Sequence, residues 1–183
     1  MITGYKSETQ QKNLAWFLPR PKPDHYRGGM PLYAEDWLIQ LARDILGMDG
    51  QANVLNVFCG MNRQGLRVDI NPEVKPDILA DIHELSKHLD PRMRFWIEFA
   101  DPPYSDKENE ELYGHKMHLS YKKWTAECAK FLRPGGLLIV YHKNLMPNPD
   151  PERFEVAKRV FIANRIGHLP RVAVYFRMKE APR

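Results

Sequence analysis

Long apolar runs are missing from this chain of 183 residues. None approaches the roughly 18 residues that a membrane-spanning helix needs, so no membrane partner is expected. The polar start, Met1 to Lys12, lacks the apolar core of a signal peptide. Cysteine is scarce, with Cys59 and Cys128 far apart in the chain. That pattern points to reduced thiols in a cytoplasmic protein and leaves too few thiolates for a structural metal. His83, His88, His115, His118, His142 and His168 follow no metal-ligand spacing, so no metal is expected. Internal repeats and low-complexity tracts are also missing, which excludes a solenoid or a compositionally biased tail.

What is present suits one globular domain. A hydrophobic content of 43% over this length is enough for a single sizeable core. Lys and Arg outnumber Asp and Glu, 27 to 23, which permits an anionic partner. The excess is uneven. Residues 152–183 hold eight Lys/Arg against three Glu, while residues 106–111 hold four acids and one Lys. A basic C-terminal third can track phosphates. Solvated faces explain any one of these residues equally well, and the acidic stretch sits poorly beside a phosphate backbone.

The order of elements reads as α/β. Pro19, Pro21, Pro23 and Pro31, with Gly28-Gly29, exclude a long helix or central strand from residues 1–31, which are expected to form an irregular arm or lid. Residues 32–183 read as one domain. Leu38, Leu41, Ala42, Ile45 and Leu46 recur at helical spacing, closed by Gly47. Strands are predicted at 53–58, 66–70, 77–81, 94–100, 137–142, 159–166 and 171–178. A second helix is predicted at 121–132, a short one near 152–157, and a helix or turn at 82–89. The last two strands flank Gly167-His168-Leu169-Pro170 and read as a hairpin. Residues 105–119 are polar and aperiodic, as expected of a mobile lid or binding loop. Strands alternating with helices predict a mostly parallel, Rossmann-like sheet, with an antiparallel hairpin at its C-terminal edge.

Chemistry concentrates where strands end. The apolar run 95–100 passes into Asp101-Pro102-Pro103-Tyr104. The acid offers an acceptor, the prolines fix two φ angles, and the aromatic offers a wall for a flat group. The plainer reading is a strand followed by a proline turn. Val57-Phe58-Cys59-Gly60-Met61-Asn62 follows another strand, with Gly60 able to let a ligand approach the backbone. Asp69 and Asp81 close two further strands, and each also suits a capping role.

Together these motifs resemble the class I methyltransferases that use S-adenosyl-L-methionine (SAM), above all the adenine-N6 nucleic-acid enzymes with an Asp-Pro-Pro-Tyr motif. The resemblance spans roughly residues 31–178. It implies that Phe58, Cys59 and Gly60 form the cofactor loop. It further implies that Asp69 with Ile70 receives the ribose diol, and that Asp81 and Ile82 lie at the adenine of the cofactor. Asp101, Pro102, Pro103 and Tyr104 would carry the chemistry on an exocyclic amine. The chain departs from the family in two places. Asn62 stands where a second glycine is common, and about eight residues separate the first two strands of the core, so the helix between them is expected to be missing or very short. The implied substrate is adenine N6 in DNA, ahead of RNA. Guanine N2 in RNA, a protein glutamine amide, or an inactive binding subunit are the alternatives. No target-recognition domain is evident, so specificity falls to the arm, the 105–119 loop, a partner chain or a homodimer.

Overall fold

In the computed structural model the described residues are 13–17, 32–48, 52–105, 110, 118–163 and 170–180. Among them, eight strands form one sheet: β1 (Asn13–Phe17), β2 (Val54–Val57), β3 (Leu66–Asp69), β4 (Ile78–Leu79), β5 (Phe95–Ala100), β6 (Leu132–His142), β7 (Phe154–Ala163) and β8 (Arg171–Met178). Their spatial order is β1-β7-β8-β6-β5-β2-β3-β4. Only β8 runs against its neighbours, pairing antiparallel with both β6 and β7. The predicted architecture is therefore the observed one: a mostly parallel sheet with a C-terminal antiparallel hairpin.

Two α-helices among the described residues cover the two faces, α1 (Leu32–Leu46) and α2 (Tyr121–Cys128). Leu38, Ile39 and Ala42 of α1 pack with Ile97, Phe99, Ile139 and Tyr175 on one face. Trp124 and Cys128 of α2 pack with Leu55, Val57, Leu138 and Val140 on the other, beside the 3-10 helix Ile82–Lys87. Burial on both faces explains why β5 and β6 read as nearly continuous apolar runs rather than alternating ones. The Tyr175 hydroxyl donates to the Leu38 carbonyl at 2.9 Å, tying α1 to β8.

Between Val57 and Leu66 the chain returns without a helix, as its length requires. Gly65 closes this return at φ 74°, where any Cβ would sit on the Val54 carbonyl oxygen. Only glycine fits so close to β2.

Several expectations are corrected. Residues 13–17 are not irregular; they form edge strand β1, parallel to β7 from Asn13↔Arg159 to Phe17↔Ala163. The prolines that argued against a long helix or a central strand all lie after this edge strand. Helix α2 stops at Cys128 rather than at 132, because Phe131 and Leu132 are drawn into the sheet. The Phe95 amide donates to the Phe131 carbonyl at 2.8 Å, and Leu132 pairs with Phe95. The short helix expected near 152–157 is instead the first part of β7, paired with β8 from Phe154↔Met178 onward. A register shift between Val156 and Lys158 breaks its two-residue period, which hid the strand in the sequence. Most of the 105–119 loop (106–109 and 111–117) and most of the hairpin turn (164–169) lie outside the described residues. No helix among the described residues is long and apolar enough to cross a membrane.

Candidate active site

Strand register brings the candidate residues to one rim. Val57 pairs with Ala100 and with Val68, so Phe58, Asp69 and Asp101 leave three adjacent strands side by side. Asp69 pairs with Leu79, which sets Asp81 beyond the next strand end. Ala100 pairs with Val140, so Tyr141 and His142 flank Asp101 on the other side. The chain order reverses between β2 and β5: β3 and β4 lie to one side, β5 and β6 to the other. In open α/β sheets this switch point is where a crevice opens for ligands.

The loop after β2 is tightly specified. Phe58 has φ 55°, in the left-handed region that costs a non-glycine residue about 1–2 kcal/mol. Its ring meets Trp124 of α2 edge-to-face, with centroids 5.4 Å apart, and this contact holds the bend. Gly60 follows at φ 50°. Asp69 caps the loop as well as its own turn: Oδ2 accepts from the Gly60 amide at 2.8 Å, and Oδ1 from the Asn71 amide at 2.9 Å. A carboxylate has about four lone-pair sites, so acceptor capacity remains on both oxygens. Cys59 is buried, and burial with the nearby Asp69 charge pushes its thiol up to about 12, so it stays neutral. Asn62 is buried too, its amide donating to the Cys59 carbonyl at 2.9 Å. Ile70 is half-buried at the same rim.

Asp81 caps the 3-10 helix, Oδ1 accepting from the His83 amide and from the His83 ring Nδ1, each at 2.9 Å. The Ser120 amide donates to Nε2 of the same ring at 3.1 Å, so Nδ1 carries the proton. This chain of bonds fixes the Asp81 carboxylate. Ile82 is 4% exposed and packs in the core under α2.

At the Asp101 end, Pro102 is buried, while Asp101, Pro103 and Tyr104 are half-buried. Tyr104 is the centre of a polar cluster built from two further strand ends. Arg171, which opens β8, donates from Nε to the Tyr104 hydroxyl at 2.8 Å and sets its guanidinium 4.6 Å from the ring centroid. Lys143 places its ammonium 5.4 Å from the same centroid. The His142 ring packs edge-to-face at 5.0 Å. Burial and the Asp101 charge raise the Tyr104 hydroxyl above its ordinary range, so it remains protonated. Burial, with Lys143 and Arg171 nearby, lowers His142 to about 4. It is therefore a neutral ring whose Nδ1 accepts from the Asn144 amide at 2.9 Å.

Three residues that sequence reasoning did not single out complete the rim: Glu35, His83 as a bridge, and Arg171. Glu35 had a legible signal, since it falls on the helical spacing of Leu38, Ile39 and Ala42, an acid on an apolar stripe.

The fold so defined is the Rossmann-like methyltransferase fold. It is similar to N-methyltransferase NodS from Bradyrhizobium japonicum WM9, solved in complex with S-adenosyl-L-homocysteine, with TM-score 0.56 and 14% identity over 87% of this chain and 94% of that one. It is similar to the rRNA methyltransferase aviRa from Streptomyces viridochromogenes, with TM-score 0.55 and 14% identity over 86% and 88%. TrmN from Thermus thermophilus superposes with TM-score 0.55 and 15% identity, over 77% of this chain but 48% of that one. In sequence, an alignment 50 residues long is 44% identical to the type II methyltransferase M.BamHI from Bacillus amyloliquefaciens. It covers 24% of this chain and 12% of that relative's length. No protein-family model matches.

Proposed function

We propose that this protein is a SAM-dependent N-methyltransferase acting on an exocyclic amine of a nucleic-acid base, adenine N6 in DNA ahead of RNA. The observation that carries the reading is the register Val57↔Ala100, which sets the Phe58–Gly60 loop beside Asp101–Tyr104 at the switch point. Methyltransferase folds bound to the demethylated cofactor and acting on nucleic acid, as the names of NodS and aviRa state, support it.

The donor set fits SAM. Asp69 keeps acceptor capacity for a vicinal diol, and Oδ2 of Asp81 accepts no bond among the described residues, which suits an adenine amine. When bound, SAM supplies an electrophilic methyl group. The remaining task falls to this chain. The target amine donates its lone pair into its own ring and is a poor nucleophile. Hydrogen bonds from that amine to the Asp101 carboxylate and the Pro102 carbonyl draw its nitrogen toward a tetrahedral, more reactive geometry. Tyr104 forms the wall for the base. Arg171 and Lys143, whose cations lie over that ring at 4.6 and 5.4 Å from its centroid, favour a substrate carrying phosphates over a neutral peptide amide and would have to leave one face of the ring to the base. In a duplex the base would have to be flipped out.

The test offers methyl-labelled SAM in parallel to DNA, RNA and protein, and identifies the modified product by mass spectrometry. N6-methyladenine in DNA is expected. N2-methylguanine in RNA or methylglutamine in protein would move the substrate assignment. Calorimetric SAM binding without transfer to any of them would make the chain a binding subunit.

A further inference from the structure

We infer that Glu35 is a positioning residue for the cofactor loop, doing from α1 what a crossover helix after β2 would otherwise do. The inference rests on the SAM-binding reading of that loop. In the usual β-loop-α unit, the loop after the first strand runs into a helix that fixes its amides. Here the chain returns to β3 directly, and each loop amide needs another partner. The Gly60 amide goes to Asp69, the Asn62 amide to the Cys59 carbonyl, and the Arg63 amide to Oε2 of Glu35, a long bond of 3.4 Å. Oε1 of Glu35 accepts from Asn56 Nδ2 in β2, and that same amide donates its other hydrogen to the Gln64 carbonyl at 3.3 Å. Next along α1, Asp36 accepts from Gln64 Nε2 at 2.7 Å. The loop is thus gripped between carboxylates on its two sides, Asp69 of β3 and Glu35 of α1.

Glu35 is 1% exposed. An acid so placed costs stability, yet here it is kept on the apolar stripe of a core helix. Both of its oxygens accept from donors, Oε1 from the Asn56 side chain and Oε2 from the Arg63 amide. Burial raises Glu35 to about 7, helped by Asp36 and opposed by its bonds to Asn56 and the loop. The other titratable group facing it is the Cys59 thiol, held neutral.

Two readouts on the full chain test this, with Glu35→Gln as the main variant and Glu35→Ala as the larger loss. The first is amide hydrogen-exchange protection by NMR in the ligand-free protein. Arg63 protection is expected to be lower in both variants than in the wild type, with Phe99 in β5 unchanged. The second is calorimetric affinity for S-adenosylhomocysteine. Both variants are expected to bind about tenfold more weakly than the wild type, as for loss of one hydrogen-bonded anchor. Wild-type protection or wild-type affinity in both variants overturns the inference, as does lost protection with unchanged affinity. Absence of binding by the wild type would defeat the methyltransferase reading, while the exchange data alone would still decide whether Glu35 orders the loop.

Discussion

Asp101 leaves β5 with its backbone committed by two prolines, so replacing it tests chemistry more than folding. Its proposed bond to the target amine strengthens as that nitrogen rehybridises, so its loss acts on the transition state. Asp101→Ala is expected to lower kcat at least about 100-fold, comparable to removing one preorganised contact. Affinity for SAM should barely change, because the cofactor loop belongs to β2 and β3. Asp101→Asn keeps an acceptor and the shape but loses the charge, and should fall between. Single-turnover methylation beside a SAM titration separates these results; full activity in Asp101→Ala would sink the mechanism. The places of Asp69 and Asp101 at strand ends were legible because β3 and β5 have strand composition, while Asp81 lies two residues past the short β4. Arg171 was not legible, since an arginine opening an antiparallel strand looks like any edge residue until register places it at Tyr104. His83 was weighed only as a metal ligand, and its bridge from Asp81 to Ser120 joins residues 39 positions apart.

At the scale of elements, the return from β2 to β3 shows what spacing can and cannot reveal. Eight residues are too few for a crossover helix, and the sequence alone required its absence. How the bare loop is held was hidden, because the holding groups come from β3 and α1. Asp69 illustrates the consequence: it is both a candidate ligand and the anchor of Gly60 and Asn71. Asp69→Ala is thus expected to weaken SAM binding by about 1.5–3 kcal/mol and also to lower stability by about 1 kcal/mol, the net worth of a partly exposed hydrogen-bonded anchor. Calorimetry with thermal unfolding would show both losses. An unchanged SAM affinity would remove Asp69 from the site. The strand lost to a helix prediction, the start of β7, failed for a related reason: its conformation is dictated by β8, and its own period is broken by a bulge.

For the whole molecule, buried acids set the response to pH. Glu98 lies fully buried in the middle of β5, with the Cys128 thiol as a weak hydrogen-bonding neighbour and no nitrogen or oxygen donor on its carboxyl among the described residues. Burial holds it well above the usual carboxylate range, so it is neutral in the folded protein. A raised folded value means that its stability contribution is whole below about 4.5, the unfolded value, and declines as pH climbs from there. Glu35 acts with the same sign up to about 7. Glu98→Met fills the same volume without the polar atoms. It is expected to gain roughly 1–3 kcal/mol near neutral pH and to flatten the fall in stability between about pH 5 and pH 8. Denaturant titrations at several pH values measure both, and a variant less stable than wild type at pH 8 would contradict the account. The position of β8 has a different consequence, in the order of events during synthesis. It is the last strand in the chain among the described residues, yet it is seated between β6 and β7. A nascent chain that has emerged only through β7 has both flanks of that gap open, two rows of unsatisfied backbone groups able to recruit a neighbouring polypeptide. Translation at about 5–20 residues per second keeps the gap open on the order of seconds. Since Arg171 arrives with β8, its bond to Tyr104 forms only when this strand slots home.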